Sequence, residues 1–294
     1  MSLWAGIAQQ VSAETGRRFE MAGYESAGGG CINRTAVLHG KDGRDYFVKL
    51  NQATRLPMFE AEAEGLRELG RAGALRVPEP VCTGITDEQA FLVLERLKLG
   101  RATTATDEAL GHQLANLHRM TRPRFGWHRD NTIGSTPQPN PWCDDWTEFY
   151  RERRLRFQLG LATTNAAKSM QALGTRLLEQ LPVLFSGHRP AASLLHGDLW
   201  GGNTAAARTG EPVIFDPAVY FGDREADLAM TELFGGFSPH FYSAYREAWP
   251  LDAGYSVRKT VYNLYHVLNH YHLFGGGYGA QAERMMQQLL SETR

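Results

Sequence analysis

Between residues 19 and 50, apolar and polar positions alternate in three short runs: Phe19 to Ser26, Arg34 to Leu38 and Asp45 to Leu50. Gly28-Gly29-Gly30-Cys31-Ile32-Asn33 and Lys41-Asp42-Gly43 separate them, so a period of two broken by turn residues predicts a β-meander. In the third run Tyr46, Val48 and Leu50 take one face, and Phe47 and Lys49 the other. At Pro57, which suits the first turn of a helix, the period changes. Phe59, Glu62, Leu66 and Leu69 recur at i, i+3, i+7 and i+10, whereas Glu60, Glu64 and Arg67 share a more solvated face. After Arg76-Val77-Pro78-Glu79-Pro80, the runs Val81 to Ile85 and Ala90 to Leu94 complete five strands, and a helix from Leu3 to Glu14 precedes them. Beyond Gly100 helical spacing dominates, starting with Asp107 to Met120, where Leu110, Leu114 and Leu117 share a face. Thr121 to Pro141, rich in Pro, Gly and Asn, reads as a long irregular loop of the kind that serves a function. Past it, Trp146, Phe149, Tyr150 and Arg153 share a helical face. The class is α+β, with a small lobe (1–97) built on a five-stranded antiparallel sheet and a larger, mainly helical lobe (98–294).

The chemistry sits between two short apolar strands. Leu194-Leu195 lead into His196-Gly197-Asp198, Asn203 lies five positions after Asp198, and Val213-Ile214-Phe215 deliver Asp216, 18 positions after Asp198. This is the H-x-D-x-x-x-x-N … D layout of the protein-kinase-like fold. Phosphoryl transfer to an alcohol needs a carboxylate beside the attacking hydroxyl, here Asp198. It also needs oxygen ligands that hold Mg²⁺ against the phosphates, here Asn203 and Asp216. Upstream, the run Gly28, Gly29, Gly30 can bring backbone N–H groups close to phosphates. Lys49, among apolar neighbours, calls for an anion, and Glu62, placed inward with the apolar stripe of its helix, calls for a cation. The two are read as a pair. Glu95, Arg96 and Leu97, leaving the last strand of the small lobe, are positioned to offer backbone groups to adenine.

Several segments carry a closer resemblance. Residues 28 to 33, Met58 to Leu66, Thr136-Pro137-Gln138-Pro139-Asn140-Pro141-Trp142, His196-Gly197-Asp198-Leu199-Trp200-Gly201-Gly202-Asn203 and Arg224 to Met230 resemble the fructosamine/ketosamine 3-kinases, relatives of the aminoglycoside and choline kinases. The resemblance runs from about residue 5 to the C-terminus. It implies ATP- and Mg²⁺-dependent phosphorylation of the 3-hydroxyl of a ketosamine, a fructosamine or ribulosamine, in deglycation repair. Asp198 is then the proton acceptor, Asn203 and Asp216 are the metal ligands and Lys49 the phosphate-binding lysine. One departure is Asp223, where many members carry histidine, which bears on fine substrate preference.

Trp200, inside the catalytic loop, is the first choice for a substrate contact, because aromatic rings with polar edges stack on sugars. Trp142, Trp146 and His270 are further choices. Tyr262, Tyr265, His266, Asn269, His270 and His272 crowd one helix, where ligand spacing for a metal is lacking. One of His266 and His270 is expected to line the acceptor pocket. Asp227, with His196, is read as structural support for the catalytic loop. Cys31 follows the glycine run, where a nearby lysine and backbone donors could stabilise a thiolate and permit a redox-linked homodimer.

Composition removes competing classes. A formal net charge of −1 with 21% charged and 43% hydrophobic residues gives no reason to expect nucleic acid or a membrane as partner. Three cysteines, Cys31, Cys82 and Cys143, suggest neither a disulfide framework nor a zinc site, so a reducing cytoplasm is expected. The other enzymatic reading is a kinase for another amino sugar, aminoglycoside or amino alcohol. A non-catalytic nucleotide-binding pseudokinase is disfavoured because Lys49, Glu62, Asp198, Asn203 and Asp216 are all present.

Overall fold

The computed structural model describes residues 2–28, 32–162 and 168–293. Gly29, Gly30 and Cys31 therefore lie outside the described residues. Helix α1 (Leu3–Thr15) ends at Gly16, whose φ of 64° supplies the left-handed cap. Strands β1 (Met21–Ala27), β2 (Arg34–Gly40), β3 (Asp45–Gln52), β4 (Pro80–Thr86) and β5 (Gln89–Glu95) form one antiparallel sheet in the order β1-β2-β3-β5-β4. Alternation in β3 sorts its side chains by partner. Tyr46, Val48 and Leu50 bury against Leu3, Ile7 and Val11 of α1, while the opposite face meets α2 (Leu56–Ala72) through Phe59, Leu66, Leu69, Leu92 and Leu94. Lys49 is on that second face, opposite α2, as the pattern requires.

The second core is continuous with the helical region. It contains α3 (Thr104–His118), α4 (Trp146–Tyr150), α5 (Arg156–Ala162), α6 (Lys168–Leu184), α7 (Glu225–Leu233), α8 (Pro239–Ala248), α9 (Tyr255–Phe274) and α10 (Tyr278–Ser291). Short strands β6 (Leu99–Gly100), β7 (Thr121–Arg122), β10 (Ala192–Leu195), β11 (Thr204–Ala207), β12 (Pro212–Ile214) and β13 (Tyr220–Gly222) make two small sheets, β13-β10-β7 and β12-β11-β6. Among the described residues no helix is long and apolar enough to cross a membrane.

Two expectations need correction. The segment 121–141 is not irregular throughout: it contains β7 and a hairpin of β8 (Asn131–Ile133) and β9 (Thr136–Gln138). These strands are two or three residues long, too short for a period of two to show in the sequence. The inward arginine after Tyr150 is Arg154 rather than Arg153. A π-helical turn at Arg151–Leu155, in which Arg156 N–H donates to Arg151 O, adds one residue to the turn and rotates the next position inward. Trp146, Phe149 and Tyr150 are buried, Arg153 is exposed and Arg154 is fully enclosed.

Candidate functional site

Strand β10 ends at Leu195, and the chain then turns through His196-Gly197-Asp198. Gly197 has φ 82°, and a Cβ there would lie 2.0 Å from the Ala218 carbonyl oxygen, so glycine is obligatory. The turn is held from behind. The Asp227 carboxylate, at the start of α7, accepts from the backbone N–H of His196 (2.7 Å) and of Gly197 (2.8 Å). It also accepts from His118 Nε2 at 3.2 Å, and His118 Nδ1 in turn accepts from the Tyr245 hydroxyl at 2.8 Å. Burial alone would raise the Asp227 pKa, but these donors outweigh it and the pKa is lowered. His196 Nε2 donates to Phe215 O at 2.9 Å, which leaves Nδ1 to accept from Asp198 N–H at 3.3 Å. Burial lowers the His196 pKa, so the ring stays neutral and serves as a brace. Asp227 and His196 thus bond the backbone of the turn, and His118 and Tyr245, distant in sequence, carried no signal of their part.

Asn203 Nδ2 donates to Asp198 O at 2.8 Å and to Asp198 Oδ2 at 3.3 Å, which turns its amide oxygen away from those partners. Asp216 adopts φ 58°, a left-handed conformation unusual for a non-glycine residue and typical of strained functional positions. Lys49 Nζ donates to Glu62 Oε1 and to Asp216 Oδ1, both at 2.6 Å. Burial opposes the charge on Lys49, but the two carboxylates outweigh it and the pKa is raised, so the ammonium is permanent at neutral pH. Asp198 is the reverse case. Burial and the neighbouring Asp216 carboxylate push it up to about 7, against the partial relief of the Asn203 hydrogen bond.

These five side chains line one end of a cavity of about 440 Å³. The opposite wall comes from the β8–β9 hairpin and from α9 and α10. Trp200, 38% exposed, stands edge-to-face with Phe234 (6.2 Å between centroids), and Phe234 packs on His270 at 4.6 Å. His270 Nδ1 donates to His266 O at 2.9 Å, so its Nε2 is the acceptor. Both histidines line the cavity. Burial, then its neighbour His270, lowers His266 to about 3, and burial also lowers His270. The wall is therefore aromatic and neutral. Phe234 and Tyr278 had no motif to mark them and join the cleft only through packing.

Other expected contacts fall elsewhere. Trp146 is buried in the helical core, 3% exposed, with Nε1 donating to the Tyr262 hydroxyl at 3.0 Å, so it does not touch an acceptor. Trp142 lies on a separate surface depression with Phe221, Arg122 and Arg124 and does not line the cleft. Both tryptophans follow the Pro-rich segment, whose path sequence periodicity could not trace. Replacing Trp146 by Ala is expected to cost about 3–5 kcal/mol in chemical unfolding with the acceptor KM of the folded fraction unchanged. Asp223 is also away from the cleft: it is buried and accepts from Tyr262 Oη and from His188 Nε2 (2.6 Å). The departure there is one of core bonding. The Glu95 side chain pairs with Arg76 and its backbone N–H donates to Glu79 O (2.8 Å), while the Arg96 side chain pairs with Asp45 (2.7 Å). Gly28 is exposed at the end of β1. Cys82, buried with its pKa pushed up to about 12, and Cys143 are free thiols.

The sequence profile of the family described as fructosamine kinase matches residues 3–292. A protein of Synechocystis named a probable ketoamine kinase is 48% identical, over 98% of this chain and 97% of its own length. The chloroplastic protein-ribulosamine 3-kinase of Oryza sativa (japonica) is 41% identical over 97% of this chain and 83% of its own. A crystal structure named "putative fructosamine-3-kinase" from Haemophilus somnus superposes with a TM-score of 0.89 at 28% identity, covering 98% of this chain and 97% of that one. With the kinase-like site already assembled in its geometry, this chain belongs to the fructosamine kinase family.

Proposed function

We propose that the protein transfers the γ-phosphoryl group of ATP to the 3-hydroxyl of a ketosamine. One observation carries the reading: Asp198, Asn203, Asp216 and the Lys49–Glu62 pair share one end of a cleft whose other wall is aromatic and uncharged. Asp198 accepts the proton of the attacking hydroxyl; a carboxylate titrating near neutrality is well matched to that task. Lys49, fixed by Glu62, meets the phosphates. The backbone of Glu95 to Leu97, at the junction of the 1–97 and 98–294 lobes, receives adenine. The Asn203 amide oxygen and the Asp216 carboxylate are hard oxygen donors facing the cleft beside Lys49, a set that suits Mg²⁺. Mg²⁺, when bound, neutralises charge on the transferred phosphates.

The wall chemistry also separates acceptors. Among the described residues the only carboxylates lining the cleft are Glu62, Asp198 and Asp216, and the first is committed to Lys49. A polycationic aminoglycoside needs several further anions, whereas a ketosamine carries a single amine and several hydroxyls. Trp200 and Phe234 offer ring faces to that amine or to the sugar, and His270 Nε2 accepts from a hydroxyl. Incubation with ATP, Mg²⁺ and a panel of fructosamines, ribulosamines, aminoglycosides and choline tests this. ADP release and ³¹P–¹H correlation of the product are expected to give a 3-phosphate on ketosamines alone; turnover confined to aminoglycosides or choline would overturn the reading.

Two substitutions probe the parts. Asp216→Asn is expected to weaken Mg·ATP binding far more than metal-free ATP binding in calorimetric titrations, and equal weakening would remove Asp216 as a ligand. Trp200→Ala is expected to raise the acceptor KM roughly threefold to tenfold, the worth of about 0.5–1.5 kcal/mol of ring contact, with the KM for ATP unmoved.

A further inference from the structure

The segment Thr136-Pro137-Gln138-Pro139-Asn140 is held by side-chain amides in addition to the backbone pairing of β9 with β8. Gln138 and Asn140 are fully buried. Gln138 uses both ends of its amide: Nε2 donates to Asn131 Oδ1 (2.8 Å) and to Ala218 O (3.1 Å), and Oε1 accepts from the Tyr265 hydroxyl (2.7 Å). Asn131 Nδ2 donates to Val219 O at 2.8 Å, and Asn131 Oδ1 also accepts from Asn140 Nδ2 at 2.9 Å. Asn140 Oδ1 accepts from Arg154 Nη2 at 2.7 Å, and Arg154 Nη1 donates to Pro139 O at 2.7 Å. The Arg154 guanidinium is itself enclosed by the Tyr220 ring (4.1 Å) and the Phe149 ring (4.7 Å). The π-turn before α5 exists, in effect, to aim this arginine at the hairpin.

Ala218 is where this network meets the catalytic loop. Its carbonyl accepts from Gln138, and its N–H donates to His196 O at 2.8 Å. Ala218 also lies two positions after Asp216, and its carbonyl is the atom that excludes any side chain at Gly197. Two hydrogen bonds thus span from the hairpin that walls the cleft to the turn that carries Asp198. We propose that Gln138 is a positioning residue for the acceptor: through Ala218 it sets the gap between the β8–β9 wall, with Thr132, Ile133 and Gly134 at the cleft, and Asp198. This rests on the ketosamine kinase reading and goes beyond it, because Gln138 touches neither nucleotide nor acceptor. In-line attack tolerates little displacement, and about 1 Å of misplacement costs on the order of 10²-fold.

The test is steady-state kinetics of Gln138→Met, which keeps length but removes every side-chain hydrogen bond at this position. The acceptor kcat/KM is expected to fall on the order of 10²-fold, while the KM for ATP stays within roughly twofold, since no nucleotide-binding group is displaced. Leu181→Ala, a fully buried position in α6 outside the cleft, provides comparable destabilisation and is expected to leave acceptor kinetics unchanged. Should Gln138→Met not fold, Gln138→Glu keeps the Tyr265 contact and still loses both donors. The proposal is overturned if the folded variant retains acceptor kcat/KM within roughly threefold of wild type. Equal worsening of ATP and acceptor, or an equal acceptor loss in Leu181→Ala, would overturn it too. Hydrogen exchange supplies a readout independent of turnover: hairpin amides 131–138 are expected to exchange faster in Gln138→Met and not in Leu181→Ala. A hairpin that stays protected refutes the positioning role even if the wild type phosphorylates no ketosamine, whereas loosened amides with an inactive wild type would refute only the assigned reaction.

Discussion

Asp198→Asn is expected to lower kcat by about 10²–10⁴-fold, the usual worth of a positioned general base, while nucleotide affinity changes little. The amide preserves size and can still meet Asn203, but it cannot take the hydroxyl proton. Rapid-quench measurement of the chemical step checks this; retention of more than about half of the wild-type rate would remove Asp198 from the role. The same substitution is expected to stabilise the metal-free protein at high pH. Asp198 titrates near 7 when folded and near its ordinary 3.8 when unfolded, because burial and Asp216 penalise its charge. The folded state therefore binds the extra proton between those values, and stability falls as pH rises through that window. Asparagine carries no such penalty. The thermal midpoint of Asp198→Asn is expected to match wild type near pH 4 and to exceed it near pH 8; a constant difference across this range would contradict the shifted pKa.

Asp227→Ala is expected to be the most destabilising single change at the site. It strips three donors, the N–H groups of His196 and Gly197 and Nε2 of His118, of their acceptor inside a region closed to water. Removing one member of a buried charged network costs about 3–5 kcal/mol, and urea unfolding followed by near-UV circular dichroism measures it. Activity in the folded fraction is expected to fall as well, since the turn carrying Asp198 loses its anchor. A cost below about 1 kcal/mol would mean that the turn holds itself and that Asp227 is only a neighbour.

The reach of the sequence follows from which interactions are local. The five strands, helix α2 and the inward Glu62 were legible because periods of two and 3.6 report which face is buried, and a carboxylate on a buried face requires a cation. The His-Gly-Asp turn and the Asn203 and Asp216 spacings were legible because short strands and a glycine turn leave those side chains few places to go. Tertiary structure decided the rest of the proposed acceptor side, beyond Trp200, His266 and His270, which the sequence already marked. Phe234, just past α7, and Tyr278, the first residue of α10, meet on His270 of α9 through packing that no local period encodes. Arg154 faces inward only because a π-turn shifts the register, and Trp146 is core because Phe125 and Tyr262, from distant elements, enclose its ring together with Tyr150. The proposed catalytic groups sit where the backbone path is set by neighbours in the chain, and the proposed substrate wall sits where distant elements close. The first kind is written in spacing, and the second is fixed only when the cores pack.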